Sequence, residues 1–262
     1  MAFERELEVA IRAAAAASEG IIKIYEADFD VKFKSDASPV TEADLVAGNV
    51  IEALLRKHFP DDGFLSEEAE DDGSRFEKKR FWVIDPLDGT KEFVKKNDEF
   101  AVNIALVDRG EVALGLVYVP VSQTIYYAIK NQGAYKKTHE GISKLSVSDR
   151  TNPIRLLVSR SHPSHRTHAL IENLKSRVES IQEMGSSIKG CLIAEGLYDI
   201  YYNFGTSMKW DTCALECIVS EAGGIMKKLD GTSIDYSEKS KVNKGFFIIN
   251  RLENKVILEV EE

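Results

Sequence analysis

The chain has 262 residues, 44% of them hydrophobic and 29% charged, enough to bury a sizeable core in one large or two small domains, and nothing in the composition points to disorder. Its 34 Lys and Arg against 43 Asp and Glu leave a formal charge of −9, which argues against a nucleic-acid polymer as partner, because phosphate contacts need a basic face. No stretch is long and apolar enough to span a membrane, and Glu4, Arg5, Glu6 and Glu8 interrupt any apolar leader, so a cytoplasmic protein is expected.

In chain order, periodicity predicts an amphipathic helix over residues 3–26, with Leu7, Ile11 and an alanine-rich flank, and a second over 42–57. The loop-like run from Lys34 to Pro39 lies between them and places Asp44 in the first turn of the second helix. Phe64-Leu65-Ser66 is a short apolar run ending in Glu67-Glu68. A loop at Asp71-Asp72-Gly73-Ser74 precedes a strand over 81–84. Residues 100–107, 112–119 and 124–129 read as three strands of an antiparallel meander, divided by Asp108-Arg109-Gly110 and Pro120-Val121-Ser122. Strands and helices then alternate: a strand over 154–158, helices over 168–176 and 188–195, and a strand over 200–202. A soft boundary over 135–150 divides an N-terminal α+β half, 1–140, from a C-terminal α/β half, 141–262. Cys191, Cys213 and Cys217 are an odd set that fits a reducing compartment, and the i,i+4 pair Cys213 and Cys217 reads as buried thiols.

The most informative segment is Trp82-Val83-Ile84-Asp85-Pro86-Leu87-Asp88-Gly89-Thr90-Lys91-Glu92-Phe93, an apolar strand that stops in two carboxylates. Carboxylate oxygens suit hard cations, and Pro86 with Gly89 predicts a tight turn aiming Asp85, Asp88 and the Leu87 carbonyl at one point. Alone, Asp-x-x-Asp favours an ordinary Pro/Asp/Gly turn over a metal site. Glu67-Glu68 adds a second acidic strand end, and Trp210-Asp211 a third acid at the start of an apolar-periodic stretch, although the first fits solvated loop acids and the last a helix cap. His162, His165 and His168 read as solvated histidines rather than a zinc site, and Lys78-Lys79-Arg80 and Lys95-Lys96 as solvated faces.

The three acidic elements in this order resemble the inositol monophosphatase-like family of Mg²⁺-dependent, lithium-sensitive phosphatases. Pro39-Val40-Thr41-Glu42-Ala43-Asp44 and Glu221-Ala222-Gly223-Gly224 extend the resemblance over nearly the whole chain. It implies a layered α/β/α/β sandwich of the inositol monophosphatase/fructose-1,6-bisphosphatase type. It also implies two or three Mg²⁺ ions, replaceable by Mn²⁺, on Glu67, Asp85, the Leu87 carbonyl, Asp88 and Asp211, with Glu67 bridging ions or activating water. Asp44 and Thr90 match the pair that orients the attacking water.

Gly89-Thr90-Lys91-Glu92-Phe93, Ser159-Arg160-Ser161-His162, Gly185-Ser186-Ser187-Ile188-Lys189 and the segment from Ala194 to Tyr201 are similar to 3'(2'),5'-bisphosphate nucleotidases of the bacterial type. That resemblance implies a small nucleotide bisphosphate as substrate, losing its 3'-phosphate, in the setting of sulfur assimilation. Asp88, Gly89, Thr90, Ser186, Ser187 and Lys189 are then the substrate contacts, with Gly185-Ser186-Ser187 and Lys189 cradling a second phosphate. Taken alone, this glycine-serine segment fits a plain helix cap. Lys209 stands where relatives often have an acid and is expected to make the pocket rim more basic. Inositol monophosphatase, inositol polyphosphate 1-phosphatase, fructose-1,6-bisphosphatase and a non-catalytic metal-regulated binding protein are the alternatives, and both a monomer and a homodimer fit.

Overall fold

The computed structural model of the chain describes residues 2–33, 39–161 and 164–257. Helix α1 (Glu4–Glu26) forms because Ala10, Ala13, Ala14 and Ala17 recur with Val9 and Ile21 along one buried stripe, with acids in the first turn and Lys23 in the last. Helix α2 (Glu42–His58) starts where the Thr41 hydroxyl accepts from the Ala43 amide and Asp44 reaches back 2.7 Å to the Thr41 amide. Both agree with the periodicity. Of the expected loop from Lys34 to Pro39, all but Pro39 lies outside the described residues. Pro39 opens β2 (Pro39–Thr41), which pairs antiparallel with β1 (Val31–Phe33).

One seven-stranded sheet follows, its strands in chain order: β3 (Gly63–Ser66), β4 (Arg80–Asp88), β5 (Ala101–Asp108), β6 (Glu111–Val119), β7 (Thr124–Ile129), β8 (Gly133–Thr138) and β9 (Gly141–Lys144). Only the β3–β4 pairing is parallel. The expected meander is β5 to β7; β8 and β9 extend it beyond the reading. Strand β4 does not end in a tight turn as expected but runs through both acids. Asp85 pairs with Asn103 and Asp88 with Ala101, so Pro86 and Leu87 together face Val102 in a bulge. A bulge tolerates the missing proline donor and bends the strand, which re-aims the carboxylates. Gly89, at φ 92°, then leads into the short helix α3 (Thr90–Val94).

The second sheet has the order β11-β10-β12-β16-β14, built from β10 (Ile154–Ser159), β11 (Val178–Met184), β12 (Ile200–Asn203), β14 (Ile225–Lys228) and β16 (Phe246–Ile249). A separate ribbon pairs β13 (Ser207–Met208) with β15 (Val242–Asn243). Helix α4 (His165–Leu174) starts three residues earlier than expected, because the Ser164 hydroxyl caps it by accepting from the Thr167 amide at 3.1 Å. Helices α5 (Ile188–Ala194) and α6 (Lys209–Glu221) complete the chain's α content.

Side-chain alternation along the strands sorts the core into layers. Trp82, Ile84, Val102, Ile104 and Leu106 pack with α1 and α2, whereas Val83, Ala105 and Val107 pack with Leu215, Ile218 and Val219 of α6. That same cluster continues to Tyr201 and Ile248 of the second sheet, whose outer face buries Ile154, Leu156, Ile200 and Phe247 against Leu170 and Leu174 of α4. The result is the expected α/β/α/β sandwich with α4 as an outer cover. Cys191, Cys213 and Cys217 are buried free thiols within it.

Helix α6 lies so close to β6 that a Cβ on Gly115 would clash with the Ala214 carbonyl and stand 2.9 Å from the Cys217 Cβ. Gly115→Ala should therefore destabilise the fold by about 1–3 kcal/mol through overpacking. Thermal melting should show a Tm lower by roughly 3–10 °C for a chain of this size; an unchanged Tm would mean that α6 can move away from the sheet freely.

Candidate active site

A cavity of about 500 Å³ is lined from both halves of the chain, by Glu67, Asp85, Leu87, Asp88 and Thr90 on one side and by Ser186, Ser187, Lys189, Tyr201 and Asp211 on the other. Each acid is delivered by a rigid element. The Glu67 amide donates to the Ile84 carbonyl at 3.1 Å, tying the end of β3 to β4. Asp85, 1% exposed, accepts from the Leu87 amide at 3.0 Å across the bulge. Asp211 is the third residue of α6 and reaches back to the Met208 amide at 2.7 Å. It is thus part of the helix start, as the sequence allowed, and faces the cavity at the same time.

Burial, then the charges of Glu67, Asp88 and Asp211, push the Asp85 carboxyl well above its usual range. Asp211 is raised in the same way by burial and by Asp88 and Glu67. Lys189 is the counter-charge. It is 6% exposed, donates to the Ser186 carbonyl at 2.7 Å and stands 5.0 Å from the Tyr201 ring centroid. Burial lowers its pKa, while the fields of Asp88, Glu92, Glu99 and Asp211 oppose that shift.

Thr90 and Asp44 are brought together. The Thr90 hydroxyl lies 3.0 Å from Asp44 Oδ1 and 3.1 Å from the Leu87 carbonyl. The other Asp44 oxygen takes both the amide and the hydroxyl of Thr41, and burial raises its pKa against those hydrogen bonds. Asp88 is joined to the second half: Ser186 Oγ donates to its Oδ2 at 2.6 Å, and the Ser187 amide donates to the same oxygen.

Glu99 carried no mark in the sequence, and Glu92, Arg160 and Ser161 stood in recognised motifs without an assigned role. Glu99 accepts both nitrogens of a fork from Arg160, at 2.9 and 2.7 Å, and the Gly185 amide at 2.7 Å. Glu92 accepts from Ser161 and packs under Gly185, where a Cβ would stand 2.7 Å from the Glu92 Cδ. Together they fix the 185–187 turn, in which Ser186 holds φ 58°. Gly185 is itself a signal of this support, a glycine required by close approach rather than by its φ.

Two charge readings are corrected. Lys209 is not at the rim: it is 1% exposed, and its ammonium donates to the carbonyls of Asp235 and Glu238, away from the cavity. Arg80 is not a solvated charge, since it pairs with Asp62 and Glu6 at 2.8 Å. Lys91 lines the cavity. His165 and His168 are exposed, and His162 lies outside the described residues.

The donor set fits hard divalent cations. Carboxylate and carbonyl oxygens line the cavity, with neither His nor Cys among them. Among the described residues the acids are gathered without closing around one point. Asp88 and Asp211 each turn an oxygen to protein donors.

The Inositol monophosphatase family matches residues 3–259. The chain belongs to that family. Curated relatives named 3'(2'),5'-bisphosphate nucleotidase CysQ include one from Buchnera aphidicola, 37% identical over 94% of both chains, and one from Escherichia coli K12, 38% identical over 88% of this chain and 94% of the relative. The crystal structure of CysQ from Bacteroides thetaiotaomicron, described as a bacterial member of the inositol monophosphatase family, superposes with a TM-score of 0.83 at 36% identity, covering 95% of this chain and 99% of the other. An IMPase from Thermotoga maritima shares the family fold at a TM-score of 0.81 and 26% identity.

Because folding raises the Asp85 and Asp211 pKa values above their unfolded value of 3.8, the proton-linked stability is complete below that value and is lost as pH rises through the raised ones. In EDTA, wild-type Tm should therefore fall with rising pH above the carboxylate range. Asp211→Asn, which keeps a side-chain oxygen for the Met208 amide, should raise the EDTA Tm near neutral pH and flatten that slope. A lower Tm with an unchanged slope would show that the cluster is not repulsive.

Proposed function

We propose that the chain is a Mg²⁺-dependent 3'(2'),5'-bisphosphate nucleotidase that removes the 3'-phosphate of 3'-phosphoadenosine 5'-phosphate, giving AMP and phosphate. The observation that carries the chemistry is the convergence of Glu67, Asp85, Asp88 and Asp211 beside the Thr90–Asp44 pair in one cavity. The relatives named as nucleotidases, matching over most of both lengths, support the substrate.

In this reading Glu67, Asp85, the Leu87 carbonyl, Asp88 and Asp211 hold the metal ions. When bound, divalent cations polarise the phosphoryl oxygens and lower the pKa of water. Thr90, with its own proton directed to Asp44, is left with lone pairs that accept a hydrogen bond from the attacking water and orient it. Glu67 is the acid placed to take up a water proton. Gly89, Ser186 and Ser187 contribute amides and hydroxyls to phosphate oxygens, and Lys189 supplies positive charge beneath them. Lithium sensitivity, a role in sulfur assimilation, cytoplasmic location and a monomeric or homodimeric state belong to the same proposal. Among the described residues, no helix is long and apolar enough to cross a membrane.

Phosphate release from the adenosine bisphosphate, inositol 1-phosphate and fructose 1,6-bisphosphate, with and without Mg²⁺, tests the reading. The adenosine bisphosphate should give the highest kcat/KM, and only with the cation; a preference for either other substrate would reassign the substrate. Thr90→Val should lower kcat by roughly 10²-fold while Mg²⁺ affinity holds, and an unchanged kcat would show that another group positions the water. Lys189→Met should reduce activity on the bisphosphate by about tenfold to a hundredfold and on a nucleoside monophosphate far less, consistent with a charge-assisted contact. Equal losses on both would make Lys189 a general counter-ion of the acids.

A further inference from the structure

The two arms of the acidic cluster come from distant parts of the chain, and one segment, residues 235–243, touches the supports of both. On the first arm, Arg75 follows Glu67 by eight positions and is 1% exposed. Its guanidinium pairs with Asp71 at 3.2 Å, lies 4.0 Å from the Phe76 ring centroid, and donates to the carbonyls of Tyr236 at 3.4 Å and Glu238 at 3.3 Å. On the second arm, Lys209 opens α6 two residues before Asp211. Its ammonium donates to the carbonyls of Asp235 and Glu238, and its amide donates to the Lys241 carbonyl at 2.8 Å.

The contacts continue into the first turn of α6. Tyr236, 1% exposed, donates through its hydroxyl to Thr212 Oγ1 at 3.3 Å. Asn243 donates to the Met208 carbonyl at 3.1 Å and to Thr212 Oγ1 at 3.0 Å. The β13–β15 ribbon sets Ser207 against Asn243 and Met208 against Val242. Two buried cations therefore meet at one main-chain carbonyl, that of Glu238. Like charges so placed repel, and they are held there by Asp71 and by the strap's carbonyls.

We propose that Arg75 and Lys209 are positioning residues which, by both donating to the Glu238 carbonyl, fix the spacing between the Glu67 arm and the Asp211 arm of the metal site. The strap is a clamp on the ligand geometry, acting through main-chain atoms and not through the Glu238 side chain. This rests on the metal-dependent phosphatase reading above.

The full-length protein tests it with two readouts, the Mg²⁺ dependence of phosphate release and the Mg²⁺-induced rise in Tm. Lys209→Met should increase the Mg²⁺ concentration for half-maximal effect by about 10–100-fold in both, as loss of a support behind metal ligands does. It should lower kcat at subsaturating Mg²⁺ and leave substrate KM within about twofold, a split that general loss of folded protein would not produce. Tyr236→Phe, which removes only a hydroxyl, should move both readouts in the same direction by a smaller factor and serves alone if Lys209→Met fails to fold. Glu238→Ala keeps the carbonyl and should match wild type. Folded variants with wild-type Mg²⁺ dependence, or a Glu238→Ala effect as large as that of Lys209→Met, would overturn the clamp. If Mg²⁺ neither raises the wild-type Tm nor supports activity, the metal reading fails and the clamp with it.

Discussion

Mutual repulsion among Glu67, Asp85, Asp88 and Asp211 is the constraint around which the rest of the molecule is arranged. Carboxylates left to themselves would separate and face water, yet Asp85 is almost fully buried and Asp211 is held in the first turn of a packed helix. Asp85, Asp211 and Asp88 are kept in place by amide or hydroxyl donors that take one oxygen of each, from Leu87, from Met208, and from Ser186 and Ser187 respectively. Such donors stabilise the charged form and orient it. The surrounding core provides the rigidity. Strand β4 is buried on both faces, and α6 lies against β6 at a distance only glycine allows.

The same logic explains why so much of the site's support is polar. Glu99, Arg160, Glu92 and Ser161 build the 185–187 turn that reaches Asp88, and Arg75, Asp71 and Lys209 anchor the strap beside α6. None of these charges is isolated. Buried ionic groups of this kind add little net stability compared with apolar packing, and removing one partner is costly. Their place beside the cavity suits the job of holding a geometry.

Legibility in the sequence followed chemistry and periodicity closely where both were strong. Helices α1 and α2 and strands β5 to β7 carry clean apolar patterns and match the reading to within a residue or two. Strands β8, β9 and β11 did not show, and the reason is physical. All of β9 and most of β11 are exposed, so neither needs an apolar face, and pairing alone makes them strands. The bulge at Pro86 was read as a turn because proline and glycine mark both, and only the partner strand tells them apart. Lys209 was misplaced because neighbouring Trp210 and Asp211 line the cavity, whereas a helical step of about 100° per residue turns Lys209 to the strap instead. Glu99 and Arg160 are 61 positions apart, a separation that no local pattern could connect.

The order in which the acids appear along the chain has a consequence for biosynthesis. Residues 67, 85 and 88 lie in the N-terminal part of the sequence, but the fourth carboxylate and the strap behind it come from residues 211 and 235–243. During translation the first sheet can be complete while one face of it waits for α6. The growing polypeptide therefore exposes that apolar face, with Val83, Ala105 and Val107, until residues near 220 have emerged. Over that interval it has three gathered acids and no fourth. Docking α6 on the sheet brings Asp211 to the other three acids, so covering that face and completing the acidic cluster are one event.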